Sequence, residues 1–280
     1  MSPLTPYAEI AYRVDGRIAT VTLDRPQARN GYTVRMADEL NHAFDTADRD
    51  ENVRVVVLTG RGGDFCVGAD LSTGGLDFGG EAPDGWQEPA GRCSQRIFTM
   101  NKPVIAALRG AAVGGGLTIT LSCDYRLAAE DAKFGFVFTR RGMYPEGASA
   151  WFLPRLVGLG TALDWMVSGR LFGPEEALRA GLVHSVHPPE AVLERAYELA
   201  RELVANTAPV SVAVTRQLLY RMASAPSPFE VHELDSKLTA GLPTTPDTAE
   251  GVRSFLQKRP PEFGMRVDSD LPPYLPWLTR

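Results

Sequence analysis

Apolar and polar positions in the first 60 residues predict a hairpin, one amphipathic helix and a buried strand. Residues 9–14 and 17–23 are β-prone runs, and the Asp15-Gly16 pair between them is typical of a two-residue hairpin turn. Thr33 can cap a helix that ends near residue 50, because its apolar residues recur on one face. Residues 53–59 are then almost continuously apolar, as expected for a strand covered on both faces of a sheet.

The remainder of the chain predicts short strands first and then only helices. The predicted strands are residues 104–108, 124–129, 133–138 and 182–186. The predicted helices are residues 94–100, 145–157, 161–168, 174–180, 189–206, 209–223, 229–240 and 246–258. Because strands and helices alternate up to residue 186 and no strand pattern follows, we expect an α/β core and a C-terminal helical subdomain.

Two segments break this pattern. Residues 72–91 are rich in glycine, proline and acidic residues, and form either a surface loop or a lid over a substrate site. Residues 264–280 contain three prolines, Tyr274 and Trp277, and are apolar enough to pack against a neighbour. We therefore divide the chain into a core (1–200), a helical subdomain (201–263) and a C-terminal extension (264–280).

Composition and charge narrow the function classes. A net charge of −5 over 280 residues argues mildly against nucleic acid as the main partner, although a local basic site for phosphates remains compatible with it. The three cysteines contain no CxxC pair, which is typical of reduced thiols in a cytoplasmic protein. The N-terminus lacks a signal-peptide pattern, and no apolar run approaches the about 20 residues of a membrane span. The scattered histidines predict no metal site.

Two glycine-rich turns carry the clearest chemical signal. The first is LTGRGGDFCVGADL (58–71), and the second is KPVIAALRGAAVGGGLTITLSCD (102–124); each begins as a buried strand. Glycine lets a ligand approach the main chain closely, and the first N–H groups of a helix have no partner within it. The two turns are either a two-donor oxyanion hole or ordinary strand-to-helix connections of an α/β domain.

Together with DRPQARN at residues 24–30, these motifs resemble the enoyl-CoA hydratase/isomerase (crotonase) superfamily in order and spacing over about residues 10–263. The resemblance implies a crotonase-like α/β fold, in which a ββα spiral core precedes a helical trimerisation subdomain. It also implies an acyl-CoA substrate, whose thioester enolate is stabilised by the main-chain N–H groups of Ala69 and Gly115. A homotrimer or a hexamer is expected, and coenzyme A is part of the substrate, so no separate cofactor is expected.

The acid–base positions depart from the hydratases of this family, which use two glutamates. The matching positions here are Thr118 and Phe138, and neither side chain can act as a general base near neutral pH. The motif Pro145-Glu146-Gly147 instead resembles the family's isomerases, which use one carboxylate from this position, so Glu146 is predicted to be the proton shuttle. An acidic residue at a predicted helix start can equally serve the helix alone. Arg140 and Arg141 nearby are either ion-pair partners or a cause of a lowered pKa of Glu146.

The resemblance also implies contacts with the rest of the substrate. The expected contacts are Arg25, Gln27 and Ala28 near the adenine, Gly68 and Leu71 along the pantetheine, and Lys258 of FLQKRPPEF at a CoA phosphate. The basic pair Lys258-Arg259 can also be a plain solvent-exposed surface charge. Asp70 is also expected among the substrate-binding residues, where it orients its turn rather than reacts. Phe138 and Gly142, with Met143, Phe78 and Trp86, are candidates for an apolar acyl pocket.

From these residues we predict an enzyme that isomerises the double bond of an enoyl-CoA. The alternatives are an atypical hydratase, an acyl-CoA thioester hydrolase and a non-catalytic acyl-CoA-binding protein that has lost its acids. A Rossmann oxidoreductase is disfavoured, because the sequence has no GxGxxG with a later acidic partner.

Overall fold

A computed structural model of the chain describes residues 7–73 and 85–278. The strands are β1 (Ile10–Asp15), β2 (Ile18–Leu23), β3 (Val55–Gly60), β4 (Val104–Leu108), β5 (Ala111–Val113), β6 (Tyr125–Ala129), β7 (Lys133–Gly135), β8 (Leu171–Phe172) and β9 (Ser185–His187). The larger sheet has the order β1-β2-β3-β4-β6-β9 and is parallel except for the β1–β2 hairpin. The smaller sheet has the order β5-β7-β8.

Ten helices accompany these strands in the described residues. They are α1 (Val34–Arg49), α2 (Pro89–Thr99), α3 (Gly115–Thr118), α4 (Ser149–Val157), α5 (Leu159–Ser168), α6 (Pro174–Arg179), α7 (Val192–Asn206), α8 (Pro209–Met222), α9 (Pro228–Gly241) and α10 (Pro246–Gln257). Strands and helices alternate up to β9 and only helices follow in the described residues, so the α/β core and helical C-terminal region are confirmed. None of the helices in residues 7–73 and 85–278 is long and apolar enough to cross a membrane.

The N-terminal elements match the hydrophobic pattern, with one change at the hairpin turn. Asp15 pairs with Ile18, so the turn residues are Gly16 and Arg17, and the prediction of Asp15-Gly16 is wrong by one position. Gly16 and Arg17 have φ of 53° and 69°, as a type I′ turn requires. Thr33 caps α1 as predicted, because its Oγ1 accepts a hydrogen bond from the Met36 N–H at 2.9 Å.

The larger sheet is covered on both faces, which explains the continuous apolar sequence of β3. Val56 and Leu58 pack in one core cluster with α1 and α2, whereas Val55 and Val57 pack with α7. Successive strand residues point to opposite faces, so an apolar residue is needed at every position.

The C-terminal extension packs on helices of its own chain. Leu275 is fully buried in a cluster with Val210 and Val214 of α8. The Tyr274 hydroxyl donates a hydrogen bond to the Lys237 carbonyl of α9 at 3.2 Å. Packing of the extension against a neighbouring molecule stays a prediction. The division of the chain near residues 200 and 263 stays a prediction.

Three elements beside the glycine-rich turns differ from the bounds predicted for them. The helix predicted from residue 94 begins at Pro89, the helix predicted from residue 145 begins at Ser149, and the strand predicted over 133–138 ends at Gly135. The helix after the triple glycine is a single turn, Gly115–Thr118, which continues as a 3-10 turn. Each difference lies next to glycine or proline, where backbone geometry set by neighbouring elements overrides side-chain pattern.

Candidate active site

The two glycine-rich turns lie side by side because main-chain hydrogen bonds join them. The Cys66 N–H donates to the Ala111 carbonyl at 2.9 Å, and the Val113 N–H donates to the Cys66 carbonyl at 3.0 Å. Gly68 has a φ of 95°, and a Cβ at this position would lie 2.9 Å from the Val113 carbonyl oxygen. Only glycine allows this approach of one turn to the other.

Ala69 and Gly115 offer main-chain N–H groups at this junction. Ala69 forms a parallel bridge with Tyr32, in which the hydrogen bonds use the Gly68 carbonyl and the Asp70 N–H. The N–H of Ala69 itself therefore points away from Tyr32. Among the residues that the structure describes, neither the Ala69 nor the Gly115 N–H donates to a protein acceptor. Unpaired main-chain donors are the groups that an oxyanion hole requires.

Glu146 reaches this junction from the turn that precedes α4. Its Oε1 lies 2.7 Å from Thr118 Oγ1 and 3.6 Å from the position that a Cβ on Gly115 would occupy. Gly147 and Ala148 have φ of 68° and 53°, so the chain enters α4 only at Ser149. The prediction that Glu146 stands at a helix start is therefore wrong, and stabilisation of a helix N-terminus does not explain it.

A second carboxyl group, that of Glu88, lies against Glu146. Glu88 immediately precedes α2, its Oε1 accepts a hydrogen bond from the Gly147 N–H at 2.8 Å, and its carboxyl hydrogen-bonds that of Glu146. Its side chain folds over the first turn of α2 at Gly91, where a Cβ would be 2.1 Å from Glu88 Oε1. Sequence reasoning missed this residue because it placed Glu88 in a loop. The available signal was the pair Glu88-Pro89, since proline is favoured at the first position of a helix.

Burial and the second carboxyl change the acidity of Glu146. Burial, the larger cause, and the neighbouring Glu88 raise the pKa of Glu146 to about 8, while the Thr118 hydroxyl lowers it. Two carboxyl groups in contact do not readily ionise together. A hydrogen bond between two carboxyl groups needs a proton on one of them, and with a pKa of about 8 Glu146 holds that proton near neutral pH.

The remaining titratable groups near Glu146 stay neutral. Burial raises the pKa of Cys66 to about 12 and that of Tyr32 well above its ordinary value. A thiol in this state is not a nucleophile near neutral pH. Arg140 and Arg141 donate to the carbonyls of Ser168 and Val137, and the pKa of Glu146 is raised, so the alternative that they lower it is wrong.

Arg25 and Asp70, two of the predicted substrate contacts, bind each other. The Arg25 guanidinium donates to the Asp70 carboxylate at 2.9 Å and lies 3.5 Å from the Glu9 carboxylate. Asp70 also accepts a hydrogen bond from the Ser72 N–H at 3.1 Å. These contacts hold the turn that carries Ala69, which agrees with the orienting function expected for Asp70.

The other predicted substrate contacts are spread over the chain. Gln27 and Ala28 form a 3-10 turn, and Leu71 is half exposed. Phe138 is buried in the main core. Gly142 is exposed with a φ of 66°, and Lys258 is exposed directly after α10. Within the described part of the chain, the Lys258 side chain makes no hydrogen bond or ion pair. Phe78 lies outside the described residues. The substrate contacts of these residues stay predictions.

Residues 7–73 and 85–278 contain no group of three or more histidine, cysteine or acidic side chains that could hold a metal ion.

Thr118→Val should shift the pH dependence of a reaction that uses ionised Glu146. Loss of the Thr118 hydroxyl raises the pKa of Glu146, so the acidic limb of kcat/KM should move to higher pH by about one unit. Thr120→Val is the matched control, because the Thr120 hydroxyl is equally buried but donates to the Leu117 carbonyl. Identical pH profiles for the two variants would contradict the assignment.

The chain is similar in sequence and in fold to several known proteins. The family model for enoyl-CoA hydratase/isomerase matches residues 13–266. An enoyl-CoA hydratase of Alternaria alternata is 41% identical over 258 residues, which cover 90% of this chain and 86% of the relative. A 1,2-epoxyphenylacetyl-CoA isomerase of Escherichia coli is 32% identical over 261 residues, 91% of this chain and 97% of the relative. The crystal structure of a probable enoyl-CoA hydratase/isomerase from Mycobacterium abscessus superimposes with a TM-score of 0.86 at 33% identity, covering 91% of this chain and 98% of that one.

Proposed function

The chain belongs to the enoyl-CoA hydratase/isomerase family and has its crotonase fold, and we propose that it moves a proton on an acyl-CoA thioester with Glu146. The first reaction that we propose is migration of a 3-enoyl-CoA double bond to the 2-position. The observation that supports it most is the placement of the Glu146 carboxyl beside Gly115, one of the two unpaired N–H donors. A base next to an oxyanion donor is the pairing that enolate formation requires.

The proposed reaction uses one base twice. The thioester oxygen accepts hydrogen bonds from the Ala69 and Gly115 N–H groups, and ionised Glu146 takes a proton from C2. The C–H electron pair moves toward the thioester oxygen and forms a dienolate, which each N–H donor stabilises by about 3–4 kcal/mol. Glu146 then returns the proton to C4, and the double bond becomes C2–C3.

Hydration of a 2-enoyl-CoA is the second candidate, and the contact between Glu88 and Glu146 favours it. Hydration needs a base that takes a proton from water and an acid that protonates C2. The absence of carboxylates at Thr118 and Phe138 had suggested that one carboxyl is available, but Glu88 is a second one. The relative from Alternaria alternata bears the name of a hydratase.

Product analysis in heavy water separates these reactions. We expect wild-type protein to convert 3-enoyl-CoA to 2-enoyl-CoA with deuterium entering at C2 or C4, measured by NMR and mass spectrometry. Formation of 3-hydroxyacyl-CoA from 2-enoyl-CoA without double-bond migration would replace the first candidate by the second. Release of free CoA would indicate a hydrolase. Binding of both thioesters with neither product formation nor deuterium incorporation would overturn the proposed function and indicate a binding protein.

A further inference from the structure

The first turn of α2 holds a carboxyl group against Glu146. Glu88 is partly buried, and its Oε1 accepts the Gly147 N–H, which follows Glu146 directly in the chain. Gly91 leaves the space that the Glu88 side chain fills, because a Cβ there would meet Glu88 Oε1 at 2.1 Å and Cδ at 2.9 Å. Three features therefore place Glu88: the position before the helix, the missing Cβ and the main-chain donor.

In the part of the chain that the structure describes, the Glu88 and Glu146 carboxyls have no nearby cationic partner, so among charged groups the protonation of each is affected mainly by the other. Among the described residues, no lysine or arginine forms an ion pair with Glu88 or Glu146. Arg92, one turn along α2, pairs with Asp38 at 2.7 Å instead. The other titratable groups that act on the pair are Tyr32, Cys66 and Cys93, all of them buried and neutral near pH 7. Within residues 7–73 and 85–278, the one hydroxyl that donates to the Glu146 carboxyl is that of Thr118.

We infer that Glu88 shares one proton with Glu146: in isomerisation it is a positioning residue that sets the protonation of Glu146, and in hydration it would itself be the base that acts on water. This inference rests on the proposed function of Glu146. It concerns a residue that lies outside the motifs by which the family resemblance was found.

In both candidate reactions the Glu88 and Glu146 carboxyls together hold one proton before the reaction and one proton after it. In isomerisation, Glu146 passes the shared proton to Glu88, takes the C2 proton with the electron pair moving toward the thioester oxygen, and returns that proton to C4. In hydration, Glu88 takes a proton from water as the water oxygen bonds to C3, and Glu146 gives the shared proton to C2. Hydration leaves the proton on Glu88, and its transfer back to Glu146 restores the starting state.

The test is the titration of Glu146 in the free protein, followed by carbon-13 NMR of labelled glutamate carboxyls and assigned with Glu146→Gln. In Glu88→Gln the amide oxygen still accepts the Gly147 N–H, but the second proton site is lost. We expect the Glu146 titration to move down by about one pH unit, with the acidic limb of kcat/KM for isomerisation following it. Hydration, if present, should fall by about 100-fold or more, because its base is missing.

A second variant moves Glu88 without removing it. Gly91→Ala places a Cβ where Glu88 Oε1 lies, so the carboxyl must leave Glu146, and we expect the same downward shift as in Glu88→Gln. Glu175→Gln is the control, because Glu175 is an exposed acid in the first turn of α6. Circular dichroism and thermal unfolding show whether Glu88→Gln or Gly91→Ala fails to fold. If one of them does, the Glu146 titration in the other variant tests the inference.

The titration separates this inference from the proposed function. Unchanged Glu146 titration in Glu88→Gln and Gly91→Ala would overturn the inference, whatever the activity. Retained proton exchange in Glu146→Gln would instead overturn the proposed function. A downward shift in both variants together with loss of exchange in Glu146→Gln supports both.

Discussion

Glu146→Gln should abolish double-bond migration and proton exchange, with kcat lower by about 10²–10⁴-fold. Glutamine has the shape of glutamate and its Oε1 can still accept the Thr118 hydroxyl, which lies 2.7 Å from Glu146 Oε1. It cannot take a proton from C2. The N–H groups of Ala69 and Gly115 are unchanged, so the affinity for an acyl-CoA should stay within a few-fold of wild type. Activity is measured as deuterium incorporation from heavy water, and affinity by isothermal titration calorimetry.

Glu130→Gln is the matched control for this substitution, because Glu130 is an exposed glutamate at the end of β6. It should have wild-type activity and affinity. The assignment fails if Glu146→Gln keeps more than a tenth of wild-type exchange. A parallel loss of binding and exchange would show that the substitution disturbed the pocket, and Thr118→Val then tests the proton chemistry by its pH profile.

Arg216→Met should lower the free energy of unfolding by about 3–5 kcal/mol, the largest stability effect that we expect from a single charged residue. The side chain of Arg216 is 4% exposed, and its guanidinium donates to both oxygens of Asp124. It also donates to the carbonyls of Ile97 and Phe98 at the C-terminal end of α2, at 2.7 and 3.1 Å. Methionine fills similar volume but removes the charge partner of the partly buried Asp124 carboxylate and the Arg216 donor to the Ile97 carbonyl. Asp124 keeps the Val104 N–H as a donor, and the Phe98 carbonyl keeps the Gln217 amide.

The effect is measured by urea unfolding followed by circular dichroism, with Arg195→Met as the control. Arg195 forms an exposed pair with Glu198, three residues along α7, and its loss should cost about 0–1 kcal/mol. If Arg216→Met and Arg195→Met unfold at the same urea concentration, the structural role of Arg216 is contradicted. Because α2 also carries Glu88 at its other end, stabilisation of α2 by Arg216 also supports the position of the second carboxyl.

Local sequence determined the elements whose signals lie within a few residues of one another. The β1–β2 hairpin follows from a glycine turn between two β-prone runs, and α1 follows from the Thr33 cap and its apolar face. The glycine turns that present Ala69 and Gly115 could be found in the same way, since the positive φ of Gly68 and Gly114 needs glycine wherever the chain adopts it. The family resemblance rests on these same residues.

The start of α4 shows where local pattern is insufficient. Pro145 predicted a helix that begins there, but Gly147 and Ala148 adopt left-handed conformations and α4 begins at Ser149. The turn directs Glu146 toward Gly115, and a Cβ on Gly147 would lie 2.8 Å from Thr118 Oγ1. The conformation is therefore set by the packing of this turn against α3, which no run of neighbouring residues specifies.

The sequence by itself determined the fold class, the two glycine turns and the presence of an acid at position 146, because motif spacing and local backbone preferences carry that information. Only the tertiary structure decided that Glu88 meets Glu146 and that Arg216 joins α8 to α2 and to Asp124. The contacts of Arg216 join residues 92 to 119 positions apart, and Glu88 contacts Gly147 across 59 positions. The energies of such contacts come from burial and from charges at short range, which exist only once distant segments are packed together.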